Sequence, residues 1–287
     1  MKKIITIILI LSLVFCMAAC GNRGTSDVTD NQGSGHYPIT LTDQAGRTVV
    51  IEKEPERLIS GYYISTSLLI ALDLDKKMVG IETGADKRNL YKYASPDLVN
   101  LPDVGSAKSF DLEKCASLNP DLVILPLKLK DAAETLDKLG IPNLLINPES
   151  GELLLEMIDL IAEATDKEER ADELKGFISS TKNMLNEKLK ETEKKTVYLS
   201  SNSSMLSTAG SRMYQNSMIE LAGGTNVAGQ IEDTYWAEVD YEQILVWNPE
   251  YFILAADAKY KAEDVFSDKA LSECSAVKNG YVEKIPS

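Results

Sequence analysis

One segment of the chain occurs twice. Asp111-Leu-Glu-Lys-Cys-Ala-Ser-Leu-Asn-Pro-Asp-Leu-Val-Ile-Leu125 lies without a gap on Asp240-Tyr-Glu-Gln-Ile-Leu-Val-Trp-Asn-Pro-Glu-Tyr-Phe-Ile-Leu254. Asp, Glu, Asn-Pro and Ile-Leu match at equivalent places. Each copy reads as a helix capped by its Asp, stopped at Asn-Pro, and followed by a buried strand. Aspartate caps because its carboxylate accepts from a free amide of the first turn. Proline stops a helix because it lacks the amide and restricts the residue before it. Two copies of one αβ unit in the two halves of a chain point to a duplicated architecture.

The flanking sequence has the same rhythm. Ile39–Asp43 and Arg47–Ile51 alternate apolar and polar around Gln44-Ala45-Gly46, a hairpin pattern. Strands are expected at Arg57–Ser60, Met78–Ile81, Leu122–Leu125 and Leu144–Ile146, and helices at Ser65–Leu72, Leu112–Leu118 and Ala132–Leu139. After the long helical stretch, Thr196–Ser200 and Tyr251–Ala255 read as strands, and Tyr214–Leu221 and Tyr241–Val246 as helices. Alternation of this kind argues for parallel sheets covered by helices. Between the halves, Gly151–Ala164 reads as one helix. A second helix is expected from Lys167 to about Glu193, opened by a capping box of Asp166 with Glu169. Ala171, Leu174, Ile178, Thr181, Leu185 and Leu189 recur along it at steps of three and four. At 1.5 Å per residue it would be roughly 40 Å long, enough for a strut between two lobes.

The first twenty residues are of another kind. Lys2 and Lys3 precede an apolar run from Ile4 to Phe15, then Met17-Ala18-Ala19-Cys20. This is the layout of a secretory leader, and the run is short for a bilayer span, which takes about 20 apolar residues. The leader's end resembles a bacterial lipobox, with Met17 where leucine is usual; the resemblance implies that Cys20 is lipidated and becomes the mature first residue. Gly21 to Gly35 is rich in Gly, Ser, Thr, Asn and Asp and reads as a flexible tether. The remaining cysteines, Cys115 and Cys274, lie in structured segments of different halves and read as buried thiols. The final segment, Gly280 to Ile285, reads as a strand with no covering helix after it, so a truncated second lobe is expected.

The formal charge of −14 opposes binding to nucleic-acid phosphates, so no nucleic-acid partner is expected. The single histidine, His36, falls in the expected tether. Ser-His-Asp and Cys-His catalysis and HExxH metal sites are therefore excluded, and no direct metal ligands or cofactor are assigned. Ala222-Gly223-Gly224-Thr225 lacks dinucleotide-loop spacing and reads as a helix-ending turn.

Several motifs carry a family resemblance. They are Thr42 to Val49 with Pro55-Glu-Arg57; Asp111-Leu-Glu113 with Leu118 to Ile124; Glu220 to Val227; and Glu242-Gln-Ile with Asn248-Pro249. Together they resemble the substrate-binding proteins of iron-siderophore, haem and cobalamin ABC importers, over essentially everything from Ile39 onward. The resemblance implies an α/β fold of two Rossmann-like lobes with parallel sheets, joined by a single long helix and holding ligand in the cleft between them. It also implies a protein that is not an enzyme, tethered by lipid to the outer face of the cell membrane and delivering a ferric siderophore to an ABC permease dimer. The expected boundaries are 1–20 leader, 21–38 tether, 39–165 first lobe, 166–194 linking helix and 195–287 second lobe. Cobalamin, haem or an oxyanion remain alternative ligands. An exported redox or scaffold lipoprotein remains an alternative of another class.

Ligands of open α/β sheets sit beyond the carboxyl ends of strands. On that ground the candidate contacts are Tyr62, Tyr63, Ser65 and Thr66 after the first strand, Lys108 before the first repeat helix, and Lys128 after its strand. In the second half they are Arg212 and Tyr214 before a helix and Trp236 before the second repeat. Aromatics offer large rigid contact area, and Arg or Lys would attract an anionic chelate. Glu113 and Glu242 occupy equivalent places in the repeats. The family resemblance assigns such a pair to permease docking.

Overall fold

The computed structural model describes residues 35–286. The expected leader, Cys20 and most of the tether lie outside these residues. The tether's expected end does not: His36 and Tyr37 are packed against the fold, Tyr37 beside a core that includes Ile158 and Ala171.

The described residues open with an antiparallel hairpin of β1 (Ile39–Thr42) and β2 (Thr48–Ile51). Its turn is organised by buried Asp43, whose carboxylate accepts from the amides of Ala45 and Arg47 and from the Arg47 guanidinium. The first sheet has the order β4-β3-β7-β8. Its strands are β3 (Leu58–Ser60), β4 (Met78–Gly80), β7 (Leu122–Pro126) and β8 (Asn143–Ile146), and every pairing is parallel. Covered on both faces, β7 and β8 are buried at every residue, which is why they read as continuous apolar runs rather than alternating ones. Helices α1 (Tyr63–Ala71), α2 (Asn89–Ala94), α3 (Leu112–Ser117) and α4 (Lys130–Lys138) lie between them. A two-residue ribbon, β5 (Gly105–Ser106) with β6 (Ser109–Phe110), precedes α3.

Two longer helices follow, α5 (Gly151–Thr165) and α6 (Glu168–Leu189). The expected capping box is absent. Asp166 sits at φ 54°, ending α5 in the left-handed conformation, and Lys167 stands at the start of α6 without a side-chain cap. A residue turned that way cannot also open the next helix. The helix is shorter than expected, 22 residues or about 33 Å. Its inward face is the periodic one: Ala171 is buried, and Leu174, Ile178, Thr181, Leu185 and Leu189 are half-buried.

The second sheet contains β9 (Lys195–Ser200), β10 (Ser207–Ala209), β11 (Gly224–Asn226), β12 (Trp236–Glu238), β13 (Tyr251–Leu254) and β14 (Val282–Lys284). Strands β11, β9, β13 and β14 pair in parallel in that order, repeating β4-β3-β7-β8. Added to them are β10 and β12, both antiparallel, so this sheet is mixed. Helices α7 (Tyr214–Leu221), α8 (Tyr241–Trp247), α9 (Ala262–Ser267) and α10 (Ser275–Asn279) pack around it.

The repeat has the expected local structure. Asp111 accepts from the Lys114 amide at 2.8 Å, and Asp240 from the Gln243 amide at 2.7 Å. Asn119 and Asn248 both turn left-handed, at φ 47° and 44°, before their prolines. Strands β7 and β13 then take equivalent inner places in their sheets. Cys115 and Cys274 are free and buried, and burial pushes the Cys115 thiol up to about 12. Among the described residues, no helix is long and apolar enough to cross a membrane.

Candidate functional site

Tyr63 is the first residue of α1, just after β3, and Tyr214 is the first residue of α7, after β9 and β10. These two places correspond in the duplicated strand order. They open onto a common cleft of about 650 Å³. One side is lined by Tyr62, Tyr63 and Ile64, and the other by Met213, Tyr214, Gln215, Trp236 and Asp257. Pro148 and Glu149 also line it, and the Tyr214 amide donates to the Glu149 carbonyl at 3.1 Å. Two smaller hollows compare poorly with it. One, about 460 Å³, is an apolar face of the second sheet with Val197, Leu199 and Ile253; the other, about 400 Å³, runs beside α6.

The first wall is stiff. The rings of Tyr62 and Tyr63 meet edge to face at 5.0 Å, and the Arg88 guanidinium lies over the Tyr63 ring at 4.2 Å. Gly61 brings this loop close to β7: a Cβ there would stand 2.7 Å from the Leu125 side chain. Burial, with Tyr63 and Glu149 beside it, holds the Tyr62 hydroxyl protonated far above the usual tyrosine range. Behind the wall is a buried polar cluster. The Thr66 hydroxyl donates to Glu82 at 2.6 Å, the Tyr91 hydroxyl donates to Glu82 at 2.7 Å, and the Ser65 hydroxyl donates to the Tyr62 carbonyl at 2.7 Å. Burial raises the Glu82 carboxyl above the ordinary range, and the Thr66 and Tyr91 hydrogen bonds partly offset it.

Four expected contacts therefore meet in the cleft: Tyr62, Tyr63, Tyr214 and Trp236. Ser65 and Thr66 do not. Both are fully buried, with hydroxyls committed to the loop carbonyl and to Glu82, so they hold the tyrosines rather than face a ligand. Lys108 stands at the tip of the β5–β6 ribbon and Lys128 in a single 3-10 turn after β7, both exposed and outside the cleft lining. Arg212 is exposed too, its guanidinium over the Tyr235 ring at 4.8 Å. None of these three cations is among the residues that line the cleft, where Glu149 and Asp257 supply carboxylates. The guanidinium next to it is that of Arg88, against the Tyr63 ring.

Gln215 escaped the sequence reading. Its Oε1 is buried without a hydrogen-bond partner while the residue lines the cleft, and nothing in the local sequence sets it apart from other helical glutamines. Glu113 and Glu242 lie in the first turns of α3 and α8, both exposed and without an ion pair among the described residues.

Residues 58–287 match the family model described as periplasmic binding protein. The chain belongs to that family. An uncharacterized ABC transporter substrate-binding lipoprotein of Bacillus subtilis, YvrC, is 29% identical over 93% of this chain and 84% of its own length. The petrobactin-binding protein YclQ of the same species is 23% identical over 98% of this chain and 90% of its own. The structure of the molybdate-binding protein MolA of Haemophilus influenzae, bound to molybdate, superposes with a TM-score of 0.73, covering 86% of this chain and 83% of that one at 24% identity. At that identity the likeness bears on the fold.

Proposed function

We propose that this chain is the extracytoplasmic receptor of an ABC importer, capturing a bulky metal chelate in the cleft and delivering it to a permease dimer. A ferric siderophore is the first candidate. The observation that carries this reading is an open cleft of about 650 Å³ walled by tyrosines from one side and by Tyr214 and Trp236 from the other. Sites for drug-sized ligands have volumes of roughly 300–1,000 Å³. A bare tetrahedral oxyanion would leave most of this space empty.

The lining narrows the charge of the ligand. Glu149 and Asp257 in the lining disfavour an anionic chelate placed beside them. A neutral or cationic complex fits, such as Fe³⁺ balanced by three singly charged hydroxamate donors. Haem and cobalamin are the alternatives, and their flat rings would also stack on the aromatic walls.

In the purified protein a neutral ferric trihydroxamate should quench tryptophan fluorescence saturably. Trp236→Ala should weaken binding about tenfold, roughly 1.4 kcal/mol, with unchanged circular dichroism. Tighter binding of molybdate or ferric citrate would refute the charge argument. Failure of every chelate, haem and cobalamin included, would refute capture itself. Anchoring is assigned to Cys20: Cys20→Ala should take the protein out of the membrane fraction, and a variant that stays there would disprove the anchor.

A further inference from the structure

The single histidine is not in a free tether. His36 Nε2 lies 2.8 Å from the carbonyl oxygen of Glu163, in the last turn of α5. A carbonyl can only accept, so Nε2 carries the proton. The hydroxyl of neighbouring Tyr37 donates to the Ala164 carbonyl at 3.2 Å. Both residues thus satisfy carbonyls that a helix end leaves without partners. Capping explains Nε2 and leaves Nδ1 unexplained.

Nδ1 faces two carboxylates. Asp166 Oδ1 and Glu168 Oε1 each lie 3.7 Å from it, and the three atoms fall within 4.8 Å of one another. At 3.7 Å neither contact is a hydrogen bond. In the neutral ring a nitrogen lone pair faces two exposed anionic oxygens, an arrangement that a shared proton or a shared cation would relieve. The two 3.7 Å separations are close to those of a shared cation: a tetrahedral centre about 2.0–2.2 Å from each donor separates the donors by roughly 3.3–3.6 Å. The Glu163 carbonyl on Nε2–H supplies the outer hydrogen bond that orients a metal-binding imidazole. Glu168 at the start of α6 would also stabilise that helix unaided. That role does not require it to point at His36.

We propose that His36, Asp166 and Glu168 form a binding site for a divalent cation of the zinc, nickel or cobalt type, clasping the segment just before β1 to the α5–α6 corner. One imidazole nitrogen with two carboxylate oxygens suits these metals, and water would complete the coordination. The site is separate from the cleft, and its fate is independent of the cleft's ligand.

The test uses the detergent-extracted full chain without a histidine tag, stripped with EDTA and titrated with Co²⁺ and Zn²⁺. One equivalent should bind, with a Co²⁺ visible band displaced by Zn²⁺. His36→Gln and Asp166→Asn should each lower affinity at least tenfold. Asparagine tolerates the left-handed turn at this position, so that variant keeps the corner while removing the charge. Melting temperatures without metal should match wild type to confirm folding. Binding that is equal in wild type and both variants, or absent at millimolar metal, would overturn the site.

Discussion

The two sheets share a frame and differ in their walls. The order β4-β3-β7-β8 recurs as β11-β9-β13-β14, and a tyrosine opens the helix after the first strand in both. The first wall is then locked by Glu82, Thr66, Tyr91 and Arg88, which tie the tyrosine loop to its sheet. The second is built outward instead. Antiparallel β10 and β12 extend it, and Trp236 projects from the edge strand, 37% exposed. A duplicated frame fixes where the cleft lies, and the additions give its two walls different linings.

The largest effect should come from removing what the halves have in common. We predict that replacing Glu113 and Glu242 together with Ala abolishes ligand uptake by cells while the purified protein binds ligand as before. The two side chains are equivalent in the repeats, and exposed charges of an interface govern encounter and register. Normal uptake by the double variant would remove these residues from docking. Loss of ligand binding would assign them to the cleft or the fold.

A middling effect should expose the locked wall. Glu82 has a raised carboxyl in the folded state, so folding favours its protonated form. Its contribution is fully present below the unfolded value of about 4.3 and is lost as pH rises through the higher folded value. Denaturant midpoints of wild type and Glu82→Gln, taken from pH 4 to 7, should therefore diverge, wild type losing ground as pH rises. Parallel profiles would mean that the burial of Glu82 is not maintained in solution.

The smallest effect tests the equivalence of the repeats. Asp111→Ala and Asp240→Ala each remove one capping hydrogen bond and should each cost about 1 kcal/mol. A clear inequality in denaturant melts would show that the two caps, alike in geometry, are not alike in energy.

Local rules made the frame legible. Asp111, Asn119-Pro120, Asp240 and Asn248-Pro249 act on their own neighbours, so capped helices and inner strands could be read directly. The periodic face of α6 was legible for the same reason. The segments that escaped depend on distant partners: β10 and β12 are three residues each and exist because they pair with one another and with β9. Asp166 suited a capping box on paper. Its left-handed turn at the end of α5 placed it outside the helix it was meant to open. At the cleft, proximity to a strand end found the aromatics but could not tell Tyr63 from Thr66 one turn later. Which side chain turns inward is settled by Glu82, sixteen residues beyond Thr66.

The connecting helix has a bearing on traffic. Its first turns belong to the core around β3 and β7, and Leu189 at its far end rests on Gly223 after α7. A rod clamped at both ends resists bending, so filling the cleft is expected to change the outer surface little. On the proposed function, empty and loaded molecules would then present nearly the same face to a permease and queue for the same few places. Surplus empty molecules would slow delivery when ligand is scarce, and the stiffness of one helix would bear on the best ratio of receptor to permease.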